Sequence, residues 1–299
     1  MTTKSKRIRK HRWNKSQLIE SNLYVNAYTK ALQQILNDED RLTLYMISKF
    51  FADATGEVLR SHYNVGMHLY DRGEKYISEV DQSNRPLLLF LSNIYDRSKS
   101  LYYHKVGDVE AAVELIHNTL KNNRELESMG LGFLLYDRVS QYHNYSKVHF
   151  GQEQPEKGFQ MLADAIRFLM TGRATYLTDL NENYIKSLDE ELNAMRFSLM
   201  VDMIFESTGH IVAIEDSEEF EEDSQLFFSH IFEGIEEMMI VNDDDKGFRD
   251  WLIAIKAFYD NDPAFAQMAG TLLQSSLWKE KASIGKNLLM QYLKRKQVI

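Results

Sequence analysis

Asn93–Lys121 reads NIYDRSKSLYYHKVGDVEAAVELIHNTLK, and it decides the fold class. Leu91, Ile94, Tyr95, Ser98, Leu101 and Tyr102 recur at the spacing of one face of an α-helix. Lys105-Val106-Gly107-Asp108 then supplies a stop and a start. Glycine tolerates the left-handed geometry of a helix end, and the Asp108 carboxylate can accept from the free N–H groups of the next helix. Ala112, Leu115, Ile116 and Leu120 form the inward side of that second helix. A hairpin of this kind cannot hide both its apolar faces alone, so it calls for neighbours on either side.

The layout recurs along the chain. Leu135, Val139, Tyr142, Tyr145 and Val148 predict a helix, 151–154 a turn, and Pro155 the first residue of a returning helix carrying Phe159, Leu162, Ile166 and Leu169. Near the C-terminus Leu252, Ile255, Phe258 and Tyr259 lead through Asp260-Asn261-Asp262-Pro263 into Phe265, Met268, Ala269 and Leu272. A further pair is expected over 183–205 and 225–240, separated by a long acidic loop near 209–224 that has room for a short strand. Upstream, 16–35, 41–55 and 58–70 predict helices, with Thr55-Gly56 ending or interrupting the second. Ser283–Lys296 predicts a terminal helix. Only three prolines punctuate 299 residues, which favours long helices over strands and turns. The expected organisation is a basic arm at 1–15, a helical region at 16–85 and a helical-repeat region at 86–299.

The unit around Gly107 resembles the tetratricopeptide repeat, on Tyr103, Gly107, Asp108, Ala112, Ile116 and Thr119, with Ser100 at the close-packing small position. His149, Gly158, Leu162 and Ala165 resemble it in the second unit, and Ala257, Ala266 and Gly270 in the third. The starts of the second helices, Val109, Pro155 and Pro263, are unevenly spaced, and the family's Trp and Pro landmarks are missing. The resemblance implies an all-α, right-handed α-α superhelix of stacked hairpins, about 11–13 helices in all, with a concave groove. It implies a non-enzymatic scaffold or adaptor that binds a protein or peptide segment. Tyr103 is the expected core aromatic of its unit. Asn93, Arg97, Arg138, Gln141 and Asn144 fall off the apolar side of the first helices and are the expected groove residues.

Charge offers an alternative. The net charge is −9, yet 1–15 holds seven Lys/Arg and no acid, whereas 215–223 holds seven acids and no base. Lys6, Arg7, Arg9, Lys10 and Arg12 could contact phosphates. Residues 16–62, with Leu44–Leu59 as the last helix, resemble the helix-turn-helix part of peptide-responsive bacterial regulators, which would make the chain a DNA-binding regulator with peptide-sensing repeats. The body itself is acidic and repels nucleic acid.

Composition excludes several chemistries. With no cysteine there is no disulfide framework, thiolate metal site or thiol nucleophile. Glu114-x-x-His117 lacks the second copy a di-iron bundle needs and is expected on an exposed face. His62 and His68, like His143 and His149, are six residues apart, which does not place two ligands together on a helix. No phosphate loop or nucleophile elbow occurs, so no catalytic residue, metal or cofactor is expected. With no apolar run of membrane-spanning length and no signal-like start, a soluble cytoplasmic protein is the expectation.

Overall fold

A computed structural model describes residues 28–180, 190–212, 217–274 and 282–296. Helix α1 covers the described residues 28–35, followed by α2 (Asp38–Leu59), α3 (Tyr63–Ser78), α4 (Arg85–Val106), α5 (Val109–Ser128), α6 (Leu135–Gly151) and α7 (Pro155–Thr171). Then come α8 (Glu190–Val212), α9 (Ser217–Phe232), α10 (Asp243–Tyr259), α11 (Phe265–Gln274) and α12 (Ala282–Arg295). No strand occurs among the described residues, and none of their helices is long and apolar enough to cross a membrane.

The hairpin turns are where local chemistry puts them. Gly107 has φ +88° at the end of α4, and its neighbour Asp108 accepts from Ala111 N–H at 3.2 Å to open α5. The left-handed φ costs an L side chain about 1–2 kcal/mol, which glycine avoids. Pro155 stands at the start of α7, where its missing N–H costs nothing. Asn37 and Asn242 cap α2 and α10. Consecutive helices α2/α3, α4/α5 and α6/α7 pack as pairs, α2 and α3 both lean on α4, and α5 leans on α6.

Two apolar clusters result. Phe51, Tyr70, Phe90, Leu91 and Leu134 belong to the first, which draws on α1 to α5 and the turn after α5. The second runs from Ile116 to Leu293 through α5 to α12, with Phe168, Phe228 and Trp251 at its centre. Gly73 lets α3 close on α2, for a Cβ there would stand 2.3 Å from the Phe51 ring.

Four expectations differ from the structure. Thr55-Gly56 lies inside α2, whose helix runs on to Leu59. The expected loop at 209–224 is helical at 209–212 and from Ser217 onward, with 213–216 outside the described residues. The acidic run is helix because Phe220, Ser224, Phe227, Phe228 and Ile231 keep a buried face at offsets 0, 4, 7, 8 and 11, leaving the acids on the outer side. Tyr103 is half-buried; the fully buried aromatic in that layer is Tyr70 of α3, whose hydroxyl donates to Ser98 O at 2.8 Å. The expected helix at 58–70 is divided, α2 ending at Leu59 and α3 beginning at Tyr63.

Candidate functional site

The first helix of each of the first three hairpins turns one face to a common cleft of about 950 Å³. On α2 that face is Ser48, Phe51, Ala52 and Thr55, on α4 it runs from Phe90 to Lys105, and on α6 from Asp137 to Val148. Each sequence repeats with helical spacing, so three stripes meet along their length. Phe51, Phe90 and Leu134 come from one apolar cluster, Ile116 and Val148 from the other. The cleft therefore opens along the seam between the two cores.

Its α2–α4 wall is stapled. Ser98 Oγ donates to Phe51 O at 3.0 Å, Thr55 Oγ1 bonds both Phe51 O and Ser98 Oγ, and Tyr70 OH reaches Ser98 from α3. Tyr28 closes one end, edge-on to Phe90 and Phe133 at 5.6 and 6.1 Å, and burial pushes its phenol pKa well up.

The polar part is a chain of side chains that ties α4, α5 and α6 together. Arg97 Nη1 donates to Asp137 Oδ1 at 2.6 Å. Asn123 Nδ2 donates to Asp137 Oδ2 at 2.9 Å, and Asn93 Nδ2 donates to Asn123 Oδ1 at 2.6 Å. Asn123 and Asp137 are buried, whereas the Arg97 side chain is 52% exposed. Among the described residues Asn93 Oδ1 has no hydrogen-bond partner. On α6, His143 Nε2 and Lys147 Nζ both meet Glu206 of α8, at 3.2 and 3.0 Å. Burial raises the Glu206 pKa, but the His143 bond and Lys147 charge overcome this and set it at about 2. Burial lowers the pKa of His104 and His143, so both are neutral at pH 7.

Of the five expected groove residues the structure brings Asn93, Arg97 and Asn144 to the cleft. Arg138 is 3% exposed in its side chain and turns the other way. It donates to both oxygens of Glu127 at 3.1 and 2.9 Å and to Asp179 O at 2.7 Å. Gln141 is fully buried. Both leave the cleft because α6 is covered on almost every side, by α5, α7 and α8. A polar residue off the apolar stripe there is satisfied inside, not in a groove. Lys6, Arg7, Arg9, Lys10 and Arg12 lie outside the described residues. Leu44–Leu59, expected as the last helix of a DNA-binding module, is part of α2, the cleft wall.

Sequence reasoning passed over Asp137, Lys147 and the whole α2 wall. The signal for α2 was present, since Ser48, Phe51, Ala52 and Thr55 stand at offsets 0, 3, 4 and 7. Glu114 and His117 are exposed, and among the described residues no group of three or more His, Asp or Glu is placed to hold a metal ion. No family model, no curated protein and no solved structure matches the chain.

Proposed function

We propose that the protein is a non-enzymatic helical-repeat scaffold that holds a segment of another polypeptide in the cleft between α2, α4 and α6. In this reading the hairpins stack as a right-handed, tetratricopeptide-like superhelix and the cleft is its concave groove. The observation that carries it is the cleft itself. Three successive hairpins each present a stripe of their first helix, giving a long opening with an apolar floor and a few convergent polar groups. Such a shape suits an elongated ligand with regularly spaced side chains.

The test is selection of a random 12-residue displayed-peptide library on the full chain, with Ala52→Trp as the blocked control. Ala52 is exposed on the cleft wall, so an indole there fills the opening without entering a core. Peptides that bind the wild type and lose at least tenfold on Ala52→Trp, at unchanged far-UV circular dichroism, are the expected result. Failure to select any peptide sensitive to that substitution rejects the reading.

A further inference from the structure

Resting on the reading of the cleft as a polypeptide site, we infer that its resident occupant is the chain's own segment 16–27, which a partner segment has to displace. The direction of the helices comes first. Phe51 of α2 stands edge-on to Tyr95 of α4 at 5.4 Å, and Thr55, one turn further on, bonds Ser98. Arg97 of α4 meets Asp137 of α6, and His104, two turns further on, lies beside Gly151, where a Cβ would come within 2.9 Å of its ring. The three stripes that line the cleft therefore all run the same way. Helix α1 runs against them. Its end lies at the start of α2, where Arg41 Nη1 donates to Leu36 O at 2.9 Å. Tyr28, eight residues earlier, is already at the near end of the cleft, against Phe90 and Phe133. Continuing α1 backwards from Tyr28 leads along the cleft, not away from it.

The segment has the length and the character for this. Residues 1–27 lie outside the described residues; the sequence predicts a single helix over 16–35. Twelve residues of helix, 16–27, rise about 18 Å, and so does the cleft face of α4 from Asn93 to Lys105. The inward side of α1 is marked by the buried Ala31 and Leu36 at its end, with Tyr28, Leu32 and Ile35 half-buried. Val25, Tyr24, Ser21 and Leu18 stand three, four, seven and ten residues before Tyr28, on the same side. Six of the twelve residues are apolar and Glu20 is their only charge, against seven Lys/Arg in 1–15. A helical stretch this short does not hold alone in water and needs a surface to lie on. Phe51, Ile94, Leu101 and Val148 offer one, at the seam between the two cores. Joined to α1, the segment meets that surface at an effective concentration on the order of millimolar, which a free peptide has to outcompete.

The chain has no cysteine, so a disulfide reports contact between two introduced ones. Ser21→Cys is combined in the full chain with Ala52→Cys on α2, with Ser140→Cys on α6 and, as the control outside the cleft, with the exposed Asp71→Cys on α3. Oxidation by glutathione disulfide is followed on non-reducing gels. At least tenfold faster closure with a cleft position than with Asp71→Cys is expected, and at least tenfold slowing of that closure by a saturating peptide from the displayed-library selection. Val25→Asp in the full chain should bind the same peptide at least tenfold more tightly by fluorescence anisotropy, at unchanged far-UV circular dichroism. Closure at both cleft positions no faster than at Asp71→Cys overturns the inference, while the peptide-cleft reading stands or falls on its own selection. Cleft-dependent peptides that neither slow closure nor bind Val25→Asp more tightly also overturn it. Rapid closure at the cleft with no cleft-dependent peptide keeps the segment in place and rejects the foreign ligand.

Discussion

Arg97 and Arg138 look interchangeable in sequence, each a lone arginine off the apolar stripe of a first helix, yet replacing them by alanine should have opposite consequences. Arg138 is 3% exposed and holds Glu127 and Asp179, whose side chains are 15% and 19% exposed. Removing one partner of a buried ion pair costs about 3–5 kcal/mol, because the remaining charge is stranded. Asp179 keeps Arg124 and Tyr142, each at 2.5 Å, so the lower end applies, about 3 kcal/mol. An unfolding entropy of roughly 2.1 cal/mol/K per residue makes each kcal/mol worth about 1.6 °C in a chain of this length, so Arg138→Ala should lower Tm by about 5 °C. Arg97 is 52% exposed at the cleft mouth, where water can take its place beside Asp137. Its loss should cost about 1 kcal/mol at most, under 2 °C. Peptide binding should show the reverse order, weakened at least tenfold by Arg97→Ala and unaffected by Arg138→Ala below its melting range. Thermal unfolding by circular dichroism and anisotropy titration read the two quantities separately. Equal Tm losses, or an Arg138→Ala protein melting within 1 °C of wild type, would refute this account of α6.

Three further outcomes follow from single positions. Burial, opposed by Lys99 and reinforced by Glu114, raises the Asp96 pKa to about 7 from an ordinary 3.8, so its contribution to stability is complete below 3.8 and lost as pH rises through 7. Asp96→Asn should therefore gain Tm over wild type progressively between pH 5 and 8, and a difference that stays flat over that range would contradict it. Glu206 runs the other way, its pKa of about 2 lying below an ordinary 4.5, so its contribution is present above 4.5 and lost as pH falls toward 2. The Tm advantage of wild type over Glu206→Gln should shrink over that acid interval. Gly107→Val should destabilise by about 1–2 kcal/mol and Gly107→Asn by less, measured by urea unfolding, because asparagine accepts a left-handed φ far better than a β-branched residue.

How much of this could be read in advance depends on how local the cause is. The turns at Gly107 and Pro155 were legible because one glycine, one cap and one proline determine them within four residues. Helix α9 was not, because seven acids in nine residues outweighed the buried stripe beneath them, although Phe220, Phe227, Phe228 and Ile231 were already at helical spacing. Exclusion from the apolar stripe leads to residues that line the cleft at Asn93 and Arg97 of α4 and at Asn144 of α6. It does not do so at Arg138 and Gln141 of α6, which are polar and buried together. A sequence pattern records which side of a helix is apolar; it does not record how many neighbours cover the rest. The α2 wall was missed for a related reason, since Ser48, Ala52 and Thr55 are unremarkable until α4 and α6 stand opposite them.

The acceptor at Asn93 shows the same limit in its sharpest form. Nothing about an asparagine tells whether it will offer oxygen or nitrogen to a given neighbour, for the amide is nearly symmetric in shape and opposite in character at its two ends. The choice is made by Asp137 on another helix, transmitted through Asn123 on a third. Arg97 donates to one oxygen of that carboxylate and Asn123 to the other, and with both oxygens accepting the direction of both amides behind it follows. The direction of the chain is thus set by residues up to 44 positions apart, from Asn93 to Asp137, and it exists only once α4, α5 and α6 have packed. Arg97 is thus both a cation at the cleft mouth and a donor to the carboxylate on which the two amides line up.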